Sequence, residues 1–326
     1  MRPSQIVVPD TEGLSQAVTL LKGDKVCAFP TETVYGLGAN ALSAAAISAV
    51  YQLKGRPSWN PLIVHARNAD MARSLAATWP DEAAELAQRF WPGPLTLVVE
   101  RAAHVPAHVS AGSPTVAIRV PAHPVAQALL EACELPLAAP SANRSEGLSP
   151  TSAEHVVRSL PEVPLVLDGG RCRLGLESTV VDVSCGTPRL LRPGALAVAD
   201  IRAAVGVLDV PGHGSAHPEA VRSPGMSKRH YAPRARIVLV ADFDKPTLQQ
   251  LRSPLGILTY HPSDAAVADP DTRVEILPAD PQGFGAELYA ALHRLDECGV
   301  STIAVLAPPA GEGWLAVRDR FDRAAA

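Results

Sequence analysis

The feature that most constrains how this chain can fold is a break in its pattern. Over residues 1–205, strand-like and helix-like segments alternate; over 206–235 they stop. That stretch carries four prolines, four glycines and three histidines without periodicity, which is the composition of a linker. Structureless stretches this long inside a protein are commonly functional or disordered. The alternation before the break predicts an α/β fold. Strands are expected at 25–29, 61–64, 95–99, 116–120, 137–139, 165–167, 179–183 and 189–191. Helices are expected at 15–21, 43–53, 124–133 and 198–205, with two more between Asp70 and Arg89. Several strands are near neighbours in sequence, so the sheet should be mixed. After the break, strands at 237–240, 256–259, 274–277 and 302–306 surround a helix marked by Phe284, Leu288, Leu292 and Leu295. This predicts a smaller, doubly wound α/β domain. The expected division is therefore 1–205, a linker at 206–235, and 236–326.

Composition narrows the partners. The chain has 326 residues, enough for about two domains at roughly 150 each. Aromatics are only 4 %, so alanine, valine and leucine must fill the cores. The formal charge of −4 argues against a surface made for a nucleic-acid backbone, so anion binding should be confined to a pocket. Cysteines stand at 27, 133, 172, 185 and 298, an odd number without a C-x-x-C pair. Neither a disulfide framework nor a zinc site is expected. The first residues lack the apolar core of a signal peptide, and no stretch approaches a membrane span. The expectation is a soluble, cytoplasmic protein.

Two segments stand out chemically. Residues 30–36 read Pro-Thr-Glu-Thr-Val-Tyr-Gly, and 54–61 read Lys-Gly-Arg-Pro-Ser-Trp-Asn-Pro. Hydroxyls on one loop and cations on another can hold phosphates without a glycine-rich loop. Lys54 has two readings. At a helix C-terminus with Gly55 as the C′ residue, it offsets the macrodipole by about 0.3–1 kcal/mol. With Arg56 beyond the glycine and Asn60 following, it can instead bind an anion. Alternation places Arg119 opposite Val116, Ile118 and Val120. Such an arginine usually faces solvent, and less often it lines a concave surface and clamps a carboxylate. Ser141 and Asn143 follow a strand, where turns and ligands both occur. Ser149-Pro-Thr-Ser reads as a helix N-cap. Ser178 and Thr179 open a strand and Arg192 closes another. No P-loop, dinucleotide fingerprint, zincin motif or nucleophile elbow is present; His104 and His108 have Pro106 between them.

Taken in order, the motifs are Pro-Thr-Glu-Thr-Val-Tyr-Gly-Leu-Gly (30–38), Lys-Gly-Arg-Pro-x-x-Asn-Pro-Leu-Ile-Val-His (54–65) and Trp-Pro-Gly-Pro-Leu-Thr (91–96). Pro-Ser-Ala-Asn (140–143), Glu-Ser-Thr-Val-Val-Asp (177–182) and Leu-Arg-Pro-Gly (191–194) follow. With these the first domain resembles the YrdC family, the threonylcarbamoyl-AMP synthases. Ser-Pro-Gly-Met (223–226) and His-Tyr-Ala-Pro (230–233) resemble the linker of the two-domain form, while Gly311-Glu-Gly-Trp and Arg318-Asp-Arg only loosely echo its ending. The resemblance implies that L-threonine, bicarbonate or CO2, and ATP are joined to threonylcarbamoyl-AMP with release of pyrophosphate. A partner transferase then modifies an adenosine of tRNA, so tRNA is met only indirectly. It further implies that Lys54 and Arg56 are catalytic and bind ATP together with Asn60, Thr115, Ser141, Asn143, Ser149, Arg192 and Tyr231 of the linker. Thr33, His65, Arg119 and Ser178 would surround threonine. No protein-held metal is implied; Mg2+ would come with the ATP phosphates.

Two other functions compete. An RNA-binding module would use the same cations, but the acidic charge and the lack of an aromatic platform oppose it. A carbamoyltransferase of hydrogenase maturation contains a related domain but carries zinc-finger cysteine pairs, which are absent here.

Overall fold

The computed structural model describes residues 4–184, 186–210 and 231–325. Most of the linker stretch, including residues 223–226 and His230, lies outside the described residues, as does Cys185. The first sheet has ten strands: β1 (Gln5–Val7), β2 (Cys27–Phe29), β3 (Gly36–Asn40), β4 (Ile63–His65), β5 (Leu95–Glu100), β6 (Thr115–Arg119), β7 (Leu137–Ala138), β8 (Leu165–Leu167), β9 (Thr179–Asp182) and β10 (Arg189–Arg192). Their order is β1-β8-β2-β3-β7-β4-β6-β5-β9-β10. The sheet is mixed, as expected: β4 and β6 run parallel, while β5 and β6 run antiparallel.

Apolar side chains on one face of β2, β7 and β8 pack against the helices Thr11–Lys22 and Pro124–Cys133. A larger core forms under the helices Ala44–Lys54, Asp81–Phe90 and Val198–Val205. Helix signals were plain where the caps were plain. Ser43 accepts from the Ala46 N–H at the start of Ala44–Lys54, and Gly55 at φ +62° ends that helix in the left-handed region. The Ser149-Pro-Thr-Ser segment does contain an N-cap: Ser152 caps Ala153–Ser159.

Strand β3 was not expected. Its sequence, Gly-Leu-Gly-Ala-Asn, has low strand propensity because glycine packs nothing and loses much entropy. The strand exists because Phe29 lies against it: a Cβ at Gly38 would come within 2.7 Å of the ring.

A second sheet, wholly parallel, has the order β11-β14-β12-β13. These strands are Arg236–Val240, Leu255–Thr259, Arg273–Ile276 and Thr302–Leu306 in chain order for β11, β12, β13 and β14. The helices Pro281–Glu297 and Leu315–Ala324 cover one face. Leu248, Leu251 and Val267 pack on the other, so the unit is doubly wound. No helix among the described residues is long and apolar enough to cross a membrane.

Candidate active site

Register brings the site together. His65 pairs with Arg119, and Arg119 with Thr96, so these three side chains form one row across β4, β6 and β5. Thr96 is opposite Val180, which places Ser178, two residues earlier, on the same side. Thr96 and Ser178 share a hydroxyl hydrogen bond of 2.7 Å. His65, Arg119 and Ser178 of this row line a cavity together with Thr31, Thr33, Arg56, Ser141, Glu177, Arg192 and Tyr231. About 50 Å3 of it is open to the centres of water molecules, room for a few waters.

Arg119 departs from the common fate of an arginine opposite an apolar strand face. It is buried, not solvent-facing, because the polar face of β6 looks into this cavity. Its guanidinium is committed on three sides. Nε donates to the Gly93 carbonyl at 3.1 Å, Nη1 to the Thr33 hydroxyl at 2.8 Å, and Nη2 pairs with Glu32 at 2.6 Å. The Thr-Glu-Thr turn is held locally: the Thr31 hydroxyl accepts from the Val34 N–H and donates to the Val34 carbonyl. Burial opposes ionisation of Glu32, but the Arg119 cation outweighs it and holds the carboxyl below its usual value. Burial and the same cation push His65 down to about 3. His65 is therefore a neutral imidazole at physiological pH, and its Nδ1 has no hydrogen-bond partner among the described residues.

The other wall is cationic. Lys54, 2 % exposed, donates from Nζ to the carbonyls of Ser141 and Asn143, both at 2.5 Å. These bonds tie the 54–65 motif to the 140–143 motif without neutralising the charge. Burial, then Arg56, lowers the Lys54 pKa well below its usual value; a bound anion would reverse that. Arg56 is held by Asn60: Nε donates to the Asn60 carbonyl at 3.1 Å and Nη2 to Oδ1 at 2.5 Å. Burial brings its pKa down to about 10, so it stays charged. Arg192 donates through Nε and Nη2 to the Ser178 carbonyl at 3.2 and 2.9 Å.

Eight of the residues singled out from sequence line the cavity: Thr33, Arg56, His65, Arg119, Ser141, Ser178, Arg192 and Tyr231. Five do not. Lys54 and Asn143 lie behind Ser141, and Asn60 braces Arg56. Ser149 donates its hydroxyl to Glu177 at 2.5 Å. Thr115 sits at the far end of β6, sharing a hydrogen bond with Ser113.

Sequence reasoning missed Glu32 and Glu177, although both stand inside the quoted motifs beside chosen residues. Of the second domain it missed Tyr289, and it quoted Arg320 only within Arg318-Asp-Arg, without a role. A signal for Arg320 exists: it falls on the buried stripe Ala316, Val317, Arg320, Phe321, Ala324 of its helix, where a charge is out of place.

Among the described residues, one group could approach a metal ion: His155, His293 and Glu297, with donor atoms within 4.8 Å of one another. The imidazoles stack at 3.9 Å, and Glu297 is already paired with Arg158, so the carboxylate and the charge balance are both taken.

Residues 19–194 match the Sua5/YciO/YrdC family, described as telomere recombination. Residues 196–326 match the threonylcarbamoyl-AMP synthase C-terminal domain. The threonylcarbamoyl-AMP synthase of Pyrococcus abyssi is 38 % identical over 322 residues, covering 94 % of this chain and 92 % of that protein. That of Bacillus subtilis is 40 % identical over 321 residues, covering 96 % and 92 %. A crystal structure of P. abyssi Sua5 complexed with L-threonine superposes with a TM-score of 0.87 at 37 % identity, covering 96 % of this chain and 94 % of that one. With one family model spanning more than half of the sequence and relatives aligned along nearly all of it, the chain belongs to the Sua5/YciO/YrdC family, in its two-domain threonylcarbamoyl-AMP synthase form.

Proposed function

We propose that this protein joins L-threonine, bicarbonate or CO2, and ATP into threonylcarbamoyl-AMP, releasing pyrophosphate. One observation carries the reading. A single cavity has an amino-acid wall (Thr33, His65, Arg119 and Ser178) facing a cationic wall (Arg56 and Arg192, with Lys54 behind).

Arg119 presents a planar fork to the threonine carboxylate, already aimed by Gly93, Thr33 and Glu32. Neutral His65, with Nδ1 unpartnered, accepts a hydrogen bond from threonine rather than carrying a proton. Ser141, Asn143 and Ser149 frame the nucleotide, and Thr115 is the most distant of its contacts. The carbamate formed on the threonine nitrogen attacks the α-phosphorus, and the bond to the β-phosphate oxygen breaks. The protein needs no nucleophile of its own; it supplies orientation and charge. Lys54 and Arg56 stabilise charge gathering on the departing pyrophosphate.

Mg2+ would come with the ATP phosphates and would add charge neutralisation there. Glu177, which lines the cavity, and Glu32, which pairs with Arg119, are each held by an arginine, so neither is offered to a metal. The product passes to a transferase that acts on tRNA, and the setting is the cytoplasm. In accord with a reducing compartment, Cys27, Cys133, Cys172 and Cys298 are all free thiols.

The test is pyrophosphate release from ATP and bicarbonate with a panel of amino acids. Release only with L-threonine is expected, because a site that hydrogen-bonds a hydroxyl rejects analogues lacking it. Release independent of threonine would remove the assignment.

A further inference from the structure

The second domain reaches Glu177, which lines the cavity, through Arg320 and Tyr289. Arg320 is 1 % exposed and lies on the helix Leu315–Ala324. Its Nε donates to Glu177 Oε2 at 2.8 Å, and its Nη2 donates to the Pro193 carbonyl at 3.0 Å, both in the first domain. Its guanidinium also lies over the Tyr231 ring, 4.8 Å from the centroid. Tyr231 is held at φ +62°, a left-handed conformation that is strained for a non-glycine residue and that its surroundings must enforce. Glu177 is saturated: Oε1 accepts from Ser149 at 2.5 Å, and the Tyr289 hydroxyl lies 3.1 Å from both oxygens.

Charge gives this arrangement its meaning. Glu177 lines the same cavity as Arg56 and Arg192. A carboxylate there, left to itself, would pair with those cations and repel a triphosphate. Arg320 binds that carboxylate from behind. It offsets that negative charge at the cavity, while its Nη1 pairs with Asp319 on the same helix at 2.6 Å.

We propose that Arg320 is a positioning residue of the nucleotide site: by neutralising Glu177 and seating Tyr231, it makes the second domain a required part of ATP binding while leaving the threonine wall complete in the first domain. The inference rests on the synthase reading.

The test is calorimetric titration of full-length wild type, Arg320→Gln, Glu177→Gln and the double variant, with Mg-ATP and separately with L-threonine. In Arg320→Gln, ATP affinity is expected to fall about tenfold, the effect of an uncompensated buried carboxylate facing an anion, while threonine affinity stays within about twofold. In the double variant, removing the Glu177 charge should bring ATP affinity back to within about threefold of wild type. A residue that merely glues the domains would lower both affinities together and would not be rescued; that result, or unchanged ATP affinity in Arg320→Gln, overturns the proposal. Should Arg320→Gln not fold, Arg320→Lys takes its place. The charge then remains, ATP affinity within about threefold of wild type is expected, and a tenfold loss would overturn the charge account. Wild type that binds no ATP would fail the synthase reading itself, whereas wild-type binding with a flat cycle would fail only the role given to Arg320.

Discussion

The two walls of the cavity are built on opposite principles. On the threonine wall each charge is answered at short range: Arg119 by Glu32 at 2.6 Å, with a neutral imidazole beside it. All of its parts come from the first domain. On the nucleotide wall Lys54 and Arg56 are held by neutral carbonyls and an amide. Lys54 rests on two carbonyls, and Arg56 on Asn60 and Pro61. Its one carboxylate, Glu177, is turned over to the second domain. A zwitterionic amino acid suits the first arrangement, and a polyanion suits the second. The difference shows how one short stretch of sheet can serve two chemically unlike ligands: by choosing acceptors that cancel charge on one side and acceptors that only position it on the other.

The largest expected break in this comparison is Lys54→Ala. It should lower turnover by about 10²–10³, the range for losing one preorganised donor, with threonine affinity nearly untouched. Single-turnover measurement of pyrophosphate release checks it, and a wild-type rate would reject the role. Next comes Arg119→Ala, which strands Glu32 as a buried, unpaired charge. Threonine affinity should fall by about 10² or more while ATP affinity changes little, as read by separate titrations. Equal losses in both affinities would erase the distinction between the walls. Thr33→Val removes one hydrogen bond to Arg119 and should cost threonine binding about fivefold to tenfold. Tyr231→Ala is expected to weaken ATP by a few-fold or let the intermediate escape. Unchanged affinity and retention would reduce residue 231 to part of a tether.

The smallest effect is on pH. His65, His155 and His293 are lowered to about 3, about 3 and about 4, each chiefly by burial. The unfolded chain takes up these protons near pH 6.5, before the folded one does, so stability is full above that value and declines as pH falls below it. Glu32 and Glu177, held below their usual values by arginines, add a further loss as pH falls past about 4.5. The melting midpoint should be level from pH 7 to 8.5 and fall between 6.5 and 5. Threonine KM should stay flat over 6–8.5, since His65 does not titrate there; a sigmoid centred near 6.5 would contradict its neutral state.

What was legible in the sequence follows the range of the forces involved. Local periodicity marked the helices Pro124–Cys133 and Val198–Val205 at their observed bounds, because that signal lies within a few residues. The motif order marked most of the cavity. Strand β3 was hidden because its stabilisation comes from the Phe29 ring on a neighbouring strand. The burial of Arg119 was hidden because alternation tells which face a side chain takes and not what covers that face. The role of Arg320 was hidden because its partner, Glu177, stands 143 residues away. Gly175 belongs to the same class: at φ +65°, with a Cβ position 2.3 Å from the Ala286 carbonyl, it lets the two domains meet backbone to backbone.

The carbonyl seats of Lys54 have one more consequence. A charge that is positioned but not cancelled does not distinguish the triphosphate that arrives from the pyrophosphate that departs. The field that draws substrate in also retains the leaving group next to the new phosphorus–oxygen bond, in position to attack it. Pyrophosphate should therefore be a competitive inhibitor against ATP, and with threonylcarbamoyl-AMP it should regenerate ATP. Net synthesis then depends on whatever removes pyrophosphate and carries the adenylate away, and the protein's own architecture gives the reaction no direction.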